Sequence, residues 1–236
     1  MKRYISLLLA ALMVWTIACC GSKAAQADQP DTAGTVQPGV TESDAAGQVQ
    51  TGTDDADDAQ GSVNGGVYTN EFAGIGCKLD EGWVFYTAEQ MAELNGALAD
   101  GTDNADVKAM LADDPSIFDM YAVSTDGLMV MNVVIQNLGL VNGTAVSPQE
   151  YAEIASAEVA DTLTAYGYEN VKAQTTAADF AGTESCPAVA VTAERDGTAL
   201  YEQMIYLKTG NYIYCVTLCS FKEDVTAEMV KLFYAL

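Results

Sequence analysis

Few groups in this chain can do chemistry near neutral pH. The sequence has no histidine, which removes His-dependent triads, histidine zinc sites and the usual neutral-pH proton shuttle. No Gly-x-Ser-x-Gly, Walker-type phosphate loop or Ser-x-x-Lys occurs. Thiols and carboxylates remain. A cysteine nucleophile needs a base or a cationic neighbourhood. Cys215 and Cys219 instead stand in the apolar run Tyr-Ile-Tyr-Cys-Val-Thr-Leu-Cys-Ser, where burial raises a thiol's pKa, and they read as structural thiols. Four apart on a strand, they share a face about 13 Å apart, too far for a disulfide and poorly spaced for a four-cysteine zinc site. Pairing of Cys77 and Cys186 is not legible from spacing. Two facing carboxylates would suit glycoside hydrolysis, but residues 67–236 carry 25 acids and nothing selects a pair. Glu194 and Glu202 lie on predicted strands, and we read both as solvent-facing or sheet-end positions. No catalytic, cofactor-binding or metal-ligating residue is assigned, and no cofactor is expected.

The residue to which the sequence does assign chemistry is Cys19. Met-Lys-Arg opens the chain, and residues 4–18 are apolar and end on small residues. This is the pattern of an export signal, and the run is shorter than the roughly 20 residues needed to span a bilayer. Thr16-Ile17-Ala18-Cys19 resembles the lipobox of bacterial lipoproteins, in which the signal is cut before a cysteine that receives a diacylglycerol. That pattern wants a small residue before the cysteine, so Ala18 favours Cys19. Thr16 departs from the usual Leu or Ile, and shifting to Cys20 restores Ile17 there but leaves Cys19 as an unusual preceding residue. A plain secretory signal and an uncleaved anchor are the competing readings.

Residues 20–66 are rich in Ala, Gly, Gln, Thr, Asp and Ser and hold no aromatic residue. Such a segment buries too little apolar surface to offset its chain entropy and is expected to be a disordered acidic linker. As a flexible coil it would span roughly 40 Å, enough to hold a domain off the membrane. Its Asp54-Asp55-Ala56-Asp57-Asp58 cluster lacks the spaced ligands, turn glycine and distal Glu of a calcium loop. The formal charge of the chain is −23, and residues 67–236 keep seven basic against 25 acidic residues, a balance of −18. Such a surface repels nucleic acid and anionic headgroups.

The elements of residues 67–236 follow from local pattern. Short strands are predicted at 67–72, 76–79 and 83–86, then a capping box at Thr87-Ala88-Glu89-Gln90. Met91, Leu94 and Leu98 line one helix face after it, a polar patch spans 100–106, and a short helical turn at 107–111 closes at Pro115. A hairpin over 117–124 and 128–137 turns at Thr125-Asp126-Gly127; its Met129, Met131, Val133 and Ile135 share a face, read as core filling rather than a soft-metal surface. Ser147-Pro148-Gln149-Glu150 starts the clearest helix, with Tyr151, Ile154, Ala155, Val159, Leu163 and Tyr166 at helical spacing and Gly167 as its stop. Strands follow at 170–176 and 187–194. Then comes a hairpin turning near Gly210 whose second strand has two apolar faces, Tyr212, Tyr214, Val216 and Leu218 against Ile213, Cys215, Thr217 and Cys219. That strand belongs in the middle of a sheet covered on both sides. A last helix is predicted from Asp224 to the end, with Val225, Met229, Leu232, Phe233 and Leu236 on one face. The order implies one α+β domain, a mainly antiparallel sheet with helices packed on it.

Tyr68-Thr69-Asn70-Glu71-Phe72, continuing through Cys77-Lys78-Leu79 to Asp80-Glu81-Gly82-Trp83-Val84-Phe85, resembles the opening of PsbP/Mog1-like domains. Those begin with an aromatic, an extended run and a Pro-x-Gly-Trp-like turn; here the proline is absent. The resemblance implies an α/β/α sandwich around an antiparallel sheet and no particular activity, because such domains serve varied binding and accessory roles. The layout of signal, acidic linker and domain is similar to that of lipoproteins of anaerobic Gram-positive bacteria.

Together these readings describe a monomeric, non-catalytic binding or accessory lipoprotein, tethered through its N-terminal lipid to the extracytoplasmic face of the membrane. Its partner is expected to be an envelope protein or small ligand rather than nucleic acid. The alternative is an extracytoplasmic hydrolase using carboxylates. A two-lobed solute receptor would need a longer chain. The lipid is testable directly. When the full chain is expressed in a bacterium and partitioned into detergent, Cys19→Ser should leave the detergent phase while Cys20→Ser stays. The reverse result moves the lipid to Cys20.

Overall fold

The computed structural model describes residues 59–100, 116–139, 143 and 145–236. Cys19, the expected linker up to residue 58, the 107–111 turn and the side chain of Leu98 lie outside the described residues. The chain runs β1 (Ser62–Asn64), β2 (Val67–Asn70), β3 (Ile75–Lys78), β4 (Trp83–Phe85), α1 (Ala88–Asp100), β5 (Ser116–Ser124), β6 (Met129–Asn137), α2 (Pro148–Ala165), β7 (Glu169–Phe180), β8 (Thr183–Arg195), β9 (Thr198–Thr209), β10 (Tyr212–Ser220), α3 (Thr226–Val230) and β11 (Phe233–Ala235). The class is α+β, and the recorded pairings are antiparallel.

A seven-stranded sheet, β4-β5-β6-β10-β9-β8-β7, has β10 as its middle strand, and every residue of β10 is buried. Ile213, Cys215 and Cys219 face one side, with Val130 and Val134 of β6 and with Tyr151, Ala155, Val159 and Leu163 of α2. Tyr212, Tyr214, Val216 and Leu218 face the other, with Met131, Val133 and Ile135. The methionine-bearing face of β6 is therefore core. This second side is covered by a four-stranded sheet, β1-β2-β3-β11, and by α3 through Met229. One outer layer is thus helical, and the other is mostly a small sheet.

Both helix starts form as the sequence predicts. Thr87 N–H donates to Gln90 Oε1 (2.9 Å) and Gln90 N–H to Thr87 Oγ1 (3.3 Å). Ser147 and Glu150 exchange the same reciprocal pair at the start of α2. Gly167 ends α2 at φ +81°, a left-handed conformation that glycine adopts without penalty. Tyr166, expected on the buried face, is 38 % exposed, and Ala152 takes part in the buried stripe instead.

The register of β5 against β6 shifts between Phe118 and Met120, leaving Asp119 as the extra residue of a bulge. The side chain of Asn95 on α1 satisfies the backbone there, accepting from Phe118 N–H (2.7 Å) and donating to Phe118 O (3.1 Å). The Asp119 carboxylate accepts from Gly61 N–H (2.8 Å), the Tyr68 hydroxyl (2.6 Å) and the Asn70 amide (2.9 Å). The amide of Asn70 and the hydroxyl of Tyr214 also donate to Ala59 O. This knot ties the segment leading into β1 onto the main sheet. The described fold accordingly takes in residues from Ala59 onward, ahead of the expected start at Val67.

Three expectations need correction. The helix predicted to the end of the chain holds only over Thr226–Val230. Beyond it, β11 closes the small sheet on β3, with Phe233 opposite Cys77, Lys78 N–H donating to Leu232 O (3.2 Å) and Leu236 N–H to Gly74 O (3.1 Å). The open edge of β3 outcompetes helix propensity because its backbone groups need partners. Gly76 permits this: a Cβ there would stand 2.5 Å from the Tyr234 ring. The strands expected at 170–176 and 187–194 are longer and form one hairpin, Glu169–Phe180 with Thr183–Arg195. The third correction is β1 itself, inside the expected linker.

Leu163 is buried against the sheet, whereas Glu153 of α2 is exposed and meets Gln149 (3.0 Å). Leu163→Asp should therefore cost several kcal/mol in urea unfolding, against under about 0.5 for Glu153→Ala. Equal losses would mean that the helix is docked in another rotational phase.

Candidate functional site

β8 and β9 pair from Arg195–Thr198 to Ala188–Ile205, and their ladder stops there. Past that point β8 continues beside β7, with Ala177 opposite Pro187 and Ala178 opposite Cys186, while β9 continues beside β10, with Tyr206 opposite Cys215 and Thr209 opposite Tyr212. The sheet is split between the two strands, and a cleft of 480 Å³ occupies the split.

The residues at the split explain it. Pro187 has no N–H to give a neighbouring strand, and its ring fixes φ. Ser185 sits in the left-handed region at φ 55°, its N–H donating to Asp179 Oδ1 (3.0 Å). A register shift between Ala178 and Phe180 bends the partner strand as well. Together they turn residues 183–187 away from β9. Pro148 of α2 lines the cleft from the helical side, and Ala73 and Gly74 of the β2–β3 turn with Ile75 of β3 line it from the small-sheet side. The cleft lining therefore draws residues from both sides of the sheet. Phe180 forms part of its wall and is backed by Phe233 of β11, ring centroids 5.0 Å apart.

Its chemistry is mixed. Phe180, Pro187 and Leu207 offer apolar surface; Thr183, Ser185 and Thr209 offer hydroxyls. Lys208 is the basic residue among the lining residues and Glu184 the acidic one. The Lys208 ammonium donates to Val146 O (2.7 Å), which holds it beside the start of α2. Ammonium carries three donors. The Cys186 thiol lies in the wall, buried, with its pKa raised chiefly by that burial.

No family model and no curated protein matches the chain. Among solved structures it is similar to that of the cyanobacterial PsbP protein CyanoP from Synechocystis sp. PCC 6803, at 10 % identity and a TM-score of 0.43 over 75 % of this chain and 94 % of that one. It is also similar to LpqN, described as involved in cell envelope biogenesis of Mycobacterium tuberculosis, at 9 % identity and a TM-score of 0.32 over 66 % of this chain and 75 % of that one. The first is a domain of the kind that residues 68–85 resemble. No residue role passes across at these identities.

The groups singled out from sequence do not converge. Cys215 and Cys219 are buried on the α2 side of the sheet, whereas Cys77 is buried on the other side. Burial pushes the thiols of Cys77 and Cys215 up to about 12, so both are neutral at physiological pH. Glu194 is exposed, as expected. Glu202 is not: it is 3 % exposed, opposite Val191 and Cys219 in the sheet, on the face shared by Leu200, Met204 and Tyr206. Buried apolar residues two positions either side were the available signal. Alternation places Glu194 on the face opposite Glu202, so they form no facing pair. The Oε1 atom of Glu202 has no hydrogen-bond partner in the structure, and desolvation pushes its carboxyl up to about 8.

That shift has a definite sign. The unfolded chain releases the Glu202 proton near 4.5 while the folded chain keeps it to about 8. Its contribution to stability is full below the lower value and is lost progressively up to the higher one. Relative to Glu202→Gln, wild type should lose on the order of a few kcal/mol between pH 5 and 8, with no further divergence above. Urea midpoints of both proteins from pH 4 to 9 measure this. Parallel profiles would mean that Glu202 is solvated.

Proposed function

We propose that the chain is a membrane-tethered, extracytoplasmic binding or accessory module, non-catalytic, whose ligand sits in the split between β8 and β9. The observation that carries this reading is the split itself. It is a concave site, within the usual size range of ligand pockets, that joins apolar walls, hydroxyls and an anchored ammonium at the end of a rigid sheet. This combination suits recognition, in which apolar contact supplies affinity and a few placed polar groups set orientation. The signal, Cys19 and the acidic linker support a lipid tether, and no described helix is long and apolar enough to cross a membrane.

The hydrolase reading requires a carboxylate raised by burial or paired with a second acid next to a substrate. Glu202 has the raised carboxyl but lies under α2, and Glu184 lies in the cleft and is exposed.

The test joins binding and turnover. Thr183 is exposed on the cleft rim, so Thr183→Trp should obstruct the cleft with a stability change under about 0.5 kcal/mol. The wild-type chain should retain an envelope component that Thr183→Trp loses. Turnover of peptidoglycan, glycan or ester substrates, abolished by a single Asp or Glu substitution with the fold intact, would replace binding with hydrolysis.

A further inference from the structure

Two strand edges face each other across the cleft, and the β2–β3 and β7–β8 turns complete its lining. On one side are residues 183–187 of β8, already paired with β7; on the other are Tyr206, Leu207, Lys208 and Thr209 of β9, already paired with β10. Neither stretch pairs with the other. In an antiparallel sheet alternate residues turn both N–H and C=O to the same neighbour. The β9 stretch therefore presents donors and acceptors towards the opening, and the described residues supply no strand to meet them. An unpaired edge is a template for another strand. Among the described residues the rest of this sheet is continuously paired, and the split is a strand position that they leave open.

Length and charge narrow the occupant. Four residues at the strand rise cover about 13 Å, so the vacancy matches a segment of about four residues in extended form. Lys208 stands on this stretch, held at Val146 O, in a chain of net charge −23. A neutral or basic segment would gain nothing from it, whereas a carboxylate would meet a positioned cation that also attracts the Glu150 carboxylate at the start of α2, in a cleft whose lining carries the single acid Glu184.

We infer that the split binds an extended peptide segment of a partner protein, added as a short strand along the β9 edge at residues 206–209, with a carboxylate of that segment on the Lys208 ammonium. This rests on the binding reading above and specifies its ligand class. Main-chain hydrogen bonds would supply affinity independent of sequence, and the walls at Phe180 and Leu207 would choose side chains. The carboxylate has two sources, a chain terminus or an Asp or Glu side chain.

The experiment uses the 15N-labelled full chain in detergent micelles and three hexapeptide pools. One has free C-termini and no Asp or Glu, one has amidated C-termini with Asp or Glu, and one has neither carboxylate. The expected result is binding of the first or second pool, which names the source of the carboxylate, with shifts and slowed exchange of the amides of residues 206–209. The third pool should bind about tenfold more weakly, as the loss of one charge-assisted hydrogen bond predicts. Lys208→Met should weaken the carboxylate pools by the same factor and leave the third unchanged. N-methylation of alternate backbone positions in a binding peptide should abolish binding at one parity and spare the other.

Equal binding of all N-methylated forms, or amide shifts confined to other strands, would overturn strand addition. Acetate binding at Lys208 with no peptide binding more tightly would also overturn it, yet leave the cleft as a small-ligand site. Loss of this proposal together with the binding reading requires more: no peptide or acetate binding, and no envelope component released by Thr183→Trp.

Discussion

A strand with two apolar faces cannot stand at a surface, and β10 has two. Each large apolar side chain on it is worth about 1.5–3 kcal/mol only where water is excluded, and that gain must exceed the entropy of ordering the chain. Both faces must therefore be roofed. The amphipathic α2 covers one face, placed by a reciprocal cap at Ser147 and Glu150 and a left-handed stop at Gly167. Among the described residues no long helix covers the second face. It is roofed by short strands from distant parts of the chain, which is why β1, β2, β3 and β11 form a sheet of their own.

A half-buried carboxylate and a fully buried one mark the two faces, and their environments differ. Asp119 sits at a bulge and collects donors from Gly61, Tyr68 and Asn70. Those bonds favour the charged form and oppose the desolvation that raises its pKa. Glu202 has desolvation alone, and Oε1 has no partner. One carboxylate fastens the roof of its face to the sheet. The other is held neutral in the core, where its neighbours Tyr206 and Cys215 are also un-ionised. Acid count from composition treats these two residues alike; only packing separates them.

What the sequence made legible was local. The alternation of Tyr212–Ser220, the capping boxes at Thr87 and Ser147, and the turn at Asp126-Gly127 are patterns over a few residues, and each formed. What stayed hidden was set by distant partners. Val225, Met229, Leu232 and Phe233 fit helical spacing and do face the core, but the edge of β3 decides that Phe233–Ala235 is a strand. β1 has no buried residue in its pattern to announce it, since Ser62, Val63 and Asn64 are all exposed and the strand is placed by pairing with β2. The split was hidden for the same reason. Pro187 hinted at an irregular strand, but where β8 leaves β9 depends on register, which no run of residues specifies alone. Glu202 was closest to being readable, through Leu200 and Met204 at alternating positions.

The pairing of β11 with β3 joins segments that lie far apart in the sequence, with Phe233 opposite Cys77. Phe233 also backs Phe180 in the cleft wall. A chain emerging in order from its N-terminus would display β3 with an open edge throughout the passage of all the intervening residues. Neither the small sheet nor the cleft wall can be finished until residues 233–235 arrive. This leaves a long interval during synthesis in which an unpaired edge needs shielding from neighbouring chains.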